Sequence, residues 1–581
     1  MRCLYLVLGA VALFAQDARN TYIPNTDTHI AMPVYKTRAE WEERKVHLRK
    51  QILSAAGLLP VPPKRHLHPQ IFGRIERQDY AIEKVLIESM PGYYLGGNLY
   101  TPLGKTGRLP GILTAHGHWT YGRLEPSTLG SVPARCINLA RQGYVVFAYD
   151  MVGYNDTIQT PHEFGLTPAQ NLWSFGPLGL QLWNSTRALD FLESRDNVDP
   201  ARIAMTGESG GGTQTFLLMA VDERVKWSVP VNMISAFFHG GSPCENTPGL
   251  RVGTFNLEIA AMMAPRPMLM VAATGDWTRN TPREEYPAVQ HMYELYDKAP
   301  EVEMVQIDAP HNYNAASREA MYRFFGKRIL NETDPAKLTD KKVDLEKIND
   351  MLALQGRALP ANALDYDGVF AQWKRIALEQ VEASDEAGQR EHLMYAMGVE
   401  WPAKVVSEGE GQKLILTRPG KGDRIPAVWI PGSGAPALVV DEKGAEAGRH
   451  SAAVEALLRA KRPVLLIDAF QTGSAVAPRD RSHVYFLTFN LSDDANRVQD
   501  ILTALAFLNA KQPGKVDLIG LENAAVWSLF AAAVAPTDLK LNADLAGFEG
   551  RDEDFIRHFF VPGVQHAGGL KTAIRLTERY R

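Results

Sequence analysis

The chain has 581 residues, 45% of them hydrophobic and 22% charged, with a formal net charge of −4. That length is too great for one hydrophobic core, so two or three domains are expected. The small negative charge argues against a nucleic-acid or anionic-membrane binder and for a soluble protein with a neutral or weakly charged substrate.

Residues 1–15 read as a secretory signal peptide: Arg2 gives a positive start, Leu4 to Phe14 is apolar, and Ala15 is a small residue before Gln16. A secreted or periplasmic protein is therefore expected. No other apolar run is long enough to span a bilayer, so membrane insertion is not. After cleavage only Cys136 and Cys244 remain. Two cysteines are too few for a disulfide framework or a zinc site in a chain of this size. Cys136 reads as a small buried hydrophobe, and a single bridge between the two is left open.

Residues 36 to 57 read as an amphipathic helix with Trp41, Leu48, Ile52 and Leu53 on one face, ended by Leu59-Pro60-Val61-Pro62-Pro63. Tyr80 to Ser89 alternates like a half-buried strand, and Tyr94 to Tyr100 follows as a second. From Gly111 short apolar strands alternate with helices. The strands are Ile112 to Ala115, Val145 to Tyr149, Ile203 to Thr206, Trp227 to Val231, Met268 to Ala272 and Val302 to Ile307. This alternation predicts an α/β fold with a mostly parallel sheet covered by helices on both faces. Asn331 to Asp350 is polar and reads as a linker or exposed helix, and residues 365 to 400 read as helical.

A second α/β pattern starts near residue 412 and echoes the first. Ala437 to Val440 corresponds to Ile112 to Ala115, and Val464 to Ile467 with Asp468 corresponds to Val145 to Tyr149 with Asp150. Asp517 to Asn523 falls where Ala204 to Gly210 falls, which places Glu522 in the slot of Ser209. The expected organisation is a first α/β domain over 36–330, a connection over 331–411, and a truncated second copy over 412–581 that lacks the chemistry of the first.

That chemistry centres on Gly207-Glu208-Ser209-Gly210-Gly211, a G-x-S-x-G pattern between a strand and the helix Thr213 to Ala220. Small residues two places either side of the serine relieve crowding in a sharp turn, and the amide of Gly210 then faces a developing oxyanion. No Walker lysine follows, which disfavours a phosphate loop. A serine hydroxyl needs a base, and His311 follows the last strand of the series. The base needs a carboxylate, and Asp276 follows Met268 to Ala272; Glu245, in the preceding long loop 238–246, is the rival acid. That loop either shapes a pocket or is only a long Gly/Pro connection. His116-Gly117-His118-Trp119 follows Ile112 to Ala115, where the second oxyanion amide is expected, at His118. Metal binding by His116 and His118 is set aside because the sequence offers no accompanying ligand cluster, and no metal or cofactor is expected. Trp119 and Trp277 are candidates for contacting substrate.

On these residues the stretch 36–330 resembles the acetyl xylan esterase and dienelactone hydrolase branch of the α/β-hydrolases. The resemblance is carried by Gly97-Asn98-Leu99-Tyr100-Thr101-Pro102, His116-Gly117-His118, the elbow with Gly212, Ala264-Pro265-Arg266-Pro267, Gly275-Asp276 and His311. It implies a Ser209, Asp276, His311 triad, oxyanion amides at His118 and Gly210, and hydrolysis of an acylated carbohydrate such as xylan. Glu208 departs from the glutamine common in the elbow of acetyl xylan esterases. For residues 412–581 it implies fold without activity. A serine peptidase of the same class is the alternative activity, and a carbohydrate- or partner-binding role is an alternative for the second copy.

Overall fold

A computed structural model describes residues 16–545 and 547–580. The signal-peptide reading lies outside them. The first sheet has nine strands: β1 (Gln70–Glu76), β2 (Tyr80–Met90), β3 (Tyr93–Pro102), β4 (Leu109–Ala115), β5 (Val145–Tyr149), β6 (Val198–Glu208), β7 (Trp227–Val231), β8 (Met268–Gly275) and β9 (Val302–Pro310). Their order is β1-β2-β3-β5-β4-β6-β7-β8-β9. The first three neighbour pairs in that order, up to β3–β5, are antiparallel, and the five pairs from β5–β4 to β8–β9 are parallel.

The inner parallel strands carry apolar runs because both faces are covered, whereas the edge strand β9 is largely half-buried. Val145 to Tyr149 is buried at every position. The helices Val132–Gln142, Pro177–Glu193 and Gly210–Val221 pack on the sheet. The N-terminal helix runs over Arg38–Ala55, started by a Thr37/Glu40 capping box and buried through Trp41, Leu48 and Ile52. Strand β1 was not legible in the sequence: its residues are half-buried or exposed, so it carries no apolar run.

The polar segment after residue 331 is stitched to the first sheet's helices and loops. Asp340 pairs with Arg318 at 2.6 Å. The carbonyl of Met351 accepts from Asn98 Nδ2 at 3.0 Å, and Asp156 accepts from the amides of Ala353 and Leu354, both at 2.8 Å. Asp156 also pairs, with Asp150, to the fully buried Arg123.

The second sheet contains β10 (Val406–Glu410), β11 (Lys413–Thr417), β12 (Ile425–Ile430), β13 (Ala437–Asp441), β14 (Val464–Ile467), β15 (Val516–Leu521) and β16 (Leu539–Ala543). Its order, β10-β11-β12-β14-β13-β15-β16, repeats the first sheet from β1 to β7. The registers coincide too. Ala115 faces Tyr149 and Gly207 in the first sheet, and Val440 faces Ile467 and Gly520 in the second. Glu522 therefore sits at the position of Ser209, and it shares the left-handed backbone, with φ 51° against 57°. Among the described residues the second sheet has no counterparts of β8 and β9.

Candidate active site

Ser209 joins β6 to the helix Gly210–Val221 at φ 57° and ψ −124°, a conformation an L-residue adopts only when its surroundings force it. The forcing is visible at Gly207, where a Cβ would lie 2.4 Å from the carbonyl oxygen of Gly211 and 2.8 Å from that of Ala115. Only glycine lets strand and helix approach so closely. The amide of Gly210 opens the helix, where no earlier carbonyl is available to it.

The turn after β4 lies against this elbow. A Cβ on Gly117 would come within 3.1 Å of Ser209 Cβ. The indole Nε1 of Trp119 donates to Glu208 Oε1 at 2.5 Å, and the Gly117 amide donates to the same oxygen at 3.2 Å. Glu208 Oε2 pairs with Arg135 at 2.7 Å, both side chains fully buried. Glu208 is thus the post to which the turn is tied. The Trp119 amide is engaged by Gly117 O at 2.8 Å, whereas the His118 amide has no acceptor among the described residues. His116 is fully buried, with Nδ1 donating to Gly117 O at 2.7 Å and Nε2 accepting from the Met151 amide at 2.9 Å. Burial lowers its pKa to about 3, so the ring is neutral. Both nitrogens are engaged, and His116 does not converge with His118 on a common point.

Asp276 and His311 stand after the neighbouring strands β8 and β9. His311 Nδ1 donates to Asp276 Oδ2 at 2.8 Å. Asp276 Oδ1 accepts from the amide of Thr278 at 2.7 Å and from its hydroxyl at 2.5 Å, which fixes the carboxylate. The His311 ring packs on Trp277, centroids 4.5 Å apart, and Trp277 packs on Phe238 at 4.6 Å. His311 Nε2 has no protein partner. No hydrogen bond joins it to Ser209 Oγ in this geometry, and such contacts commonly close only around substrate. Glu245 is turned elsewhere. It accepts from Thr213 Oγ1 at 3.3 Å, the amides of Gly241 and Ser242 at 2.9 and 3.3 Å, and Ser242 Oγ at 3.1 Å, closing its own loop.

That loop is gripped from the second unit. Tyr485 Oη donates to Gly241 O at 3.3 Å, and the amides of Gly249 and Arg251 donate to the carbonyls of Leu487 and Thr488, both at 2.8 Å. Sequence reasoning found neither this grip nor the role of Glu208, because both arise from residues remote in the chain. Cys136 and Cys244 are buried free thiols, so no bridge joins them. A cleft of about 220 Å³ lined by His66, Glu88, Trp183 and Trp373 shares no residue with these loops.

A hydroxyl on a strained turn, a carboxylate-bound imidazole and two amides are the groups that acyl transfer requires. The chain is 31% identical to methylesterase BT1017 across 60% of its own length and 78% of that structure, with a TM-score of 0.51. It belongs to the α/β-hydrolase esterases. The esterase is also 28% identical over 257 residues to YtaP of Bacillus subtilis (strain 168), named as a hydrolase without a stated substrate. That likeness covers 41% of the esterase and 82% of YtaP. An acetyl xylan esterase from Paenibacillus sp. R4 aligns at 20% identity and a TM-score of 0.33, covering 52% of the esterase and 98% of that chain. No family model matches. No helix among the described residues is long and apolar enough to cross a membrane.

Proposed function

We propose that this carboxylic ester hydrolase works through an acyl-enzyme on Ser209. His311 takes the hydroxyl proton as Ser209 attacks the ester carbonyl, and Asp276 steadies the imidazolium. The amides of His118 and Gly210 receive the oxyanion. His311 then protonates the departing alcohol, and the same histidine activates the water that frees the acid. The observation that carries this reading is the 2.8 Å Asp276–His311 bond, two strands and three strands beyond a serine held at positive φ. Trp277 lies against the His311 ring as a wall for substrate.

The substrate in this reading is an ester on a carbohydrate, and the chain is exported by its first fifteen residues. Residues 36–330 form the catalytic domain, 331–411 the connection, and 412–581 a non-catalytic domain that buttresses loop 238–246. The ester is an O-acetyl group on a sugar, as in acetylated xylan. The likeness to a methylesterase favours a second form, a methyl ester of a sugar acid.

Acetate release from acetylated xylan and methanol release from methyl-esterified polygalacturonate, beside an aryl acetate and a peptide amide, test this. Wild type should act on the aryl ester and one polysaccharide and leave the amide intact. Ser209→Ala should lose about 10⁴-fold or more in kcat. Full activity of Ser209→Ala would overturn the serine mechanism, and cleavage of the amide in preference to both esters would overturn the ester reading.

A further inference from the structure

Three loops of the first sheet bring one more set of side chains together beside the elbow. His118 follows β4, His162 lies in the connection after β5, and Cys244 lies in the loop after β7. His118 Nε2 is 3.1 Å from His162 Nε2, 3.1 Å from Cys244 Sγ and 3.3 Å from Ser242 Oγ. Ser242 Oγ is itself 3.0 Å from Cys244 Sγ. A ring nitrogen has one proton or one lone pair, so it satisfies one of these neighbours and not three. The ligand atoms of His118, His162 and Cys244 all lie within 4.8 Å of one another.

The second observation is the tautomer of His162. Its Nδ1 lies 2.7 Å from the carbonyl of Val152, which accepts a hydrogen bond and donates none. The proton is therefore on Nδ1, and Nε2 turns a lone pair toward His118 and Cys244. A backbone carbonyl behind the far nitrogen is the arrangement that orients metal-ligating histidines. Two imidazole nitrogens held tetrahedrally at roughly 2.0–2.1 Å from zinc stand about 3.3 Å apart, close to the spacing found.

We propose that His118, His162 and Cys244 form a binding site for a thiophilic divalent cation of the Zn²⁺ class, with the Ser242 hydroxyl or a water as fourth ligand. Binding converts the Cys244 thiol to a thiolate and releases one proton to solvent. The site adjoins the elbow: a Cβ on Gly210 would come within 2.7 Å of His118 Cε1. On the esterase reading above, the ion then fixes the residue whose amide receives the oxyanion.

Co²⁺ titrated into the chelator-treated full chain is the probe, read by thiolate-to-cobalt absorbance in the near ultraviolet and tetrahedral bands in the visible. One equivalent should bind and be displaced by Zn²⁺. Cys244→Ser should abolish the thiolate band, and His162→Gln should weaken Co²⁺ roughly 10- to 100-fold. Ser209→Ala should bind as wild type does, which separates this site from the catalytic reading. Should Cys244→Ser fail to fold by circular dichroism, the half-exposed His162 still provides the test. Absence of a thiolate band in wild type, or cobalt binding unchanged in His162→Gln, overturns the proposal.

Discussion

Replacing Glu208 by glutamine tests how the oxyanion turn is held. Glu208 and Arg135 face each other at 2.7 Å with both side chains fully buried. Burial works against the Arg135 charge, and Glu208 is the main group that offsets it. Glutamine keeps an oxygen for the Gly117 amide and the Trp119 indole but leaves the guanidinium beside a neutral partner. Removing one charge of a buried pair costs about 3 kcal/mol or more. At about 2 °C per kcal/mol for a large domain, the melting temperature should fall by about 6 °C. Because the turn keeps its anchor, kcat should stay within about tenfold of wild type, whereas Glu208→Ala frees the turn and should cost about 100-fold, the worth of one oxyanion donor. Calorimetry and aryl-acetate kinetics read the two effects separately. An unchanged melting temperature for Glu208→Gln would refute the ion-pair argument, and an unchanged kcat for a folded Glu208→Ala would refute the anchoring argument.

The acid is tested by comparing two carboxylates. Asp276→Asn should lower kcat about 10³–10⁴-fold with little loss of stability, whereas Glu245→Gln should change kcat less than about tenfold and chiefly loosen its loop; the reverse ranking would reassign the acid. His116 gives a pH signature. The unfolded ring takes up a proton below about pH 6.5, but the folded ring does so only at about 3. The unfolded chain therefore gains protons as pH falls, and this histidine's share of stability is lost. Urea titrations should show the deficit of His116→Gln against wild type shrinking by roughly 2 kcal/mol between pH 7 and pH 5; a constant deficit would refute the assignment.

What the sequence disclosed and what it withheld divides along a physical line. Strands β4 to β8 were legible because burial on both faces gives each an apolar run, the edge strand β9 through Val302, Met304, Val305 and Ile307, and the turn at Ser209 because its crowding demands glycines at fixed offsets. Strand β1, with Arg74 and Glu76 in solvent, shows neither signal. The polar stretch after residue 331 reads as a linker because its anchors, Arg318, Asn98 and Asp156, lie far back in the chain. Glu208 looked like a departure from a family pattern, and only its partner Arg135, 73 residues earlier, explains it. His162 and Tyr485 meet the elbow's surroundings through loops with no local mark. The position of His118 after β4 was legible, but the company its ring keeps was not.

The left-handed backbone at Glu522 bears on what such a turn signifies. The turn takes the shape of the Ser209 elbow with an exposed carboxylate at its tip, since Gly520 meets the carbonyl of Ala524, 2.7 Å from where its Cβ would stand. The distortion therefore belongs to the joint between strand and helix, whichever side chain stands at its tip. A surveyor of proteins who takes a twisted residue at a strand's end as proof of catalysis would count the Glu522 turn as a second active centre. What separates the two elbows is the neighbourhood: one looks across to a carboxylate and an imidazole on adjoining strands, and the other looks out on water.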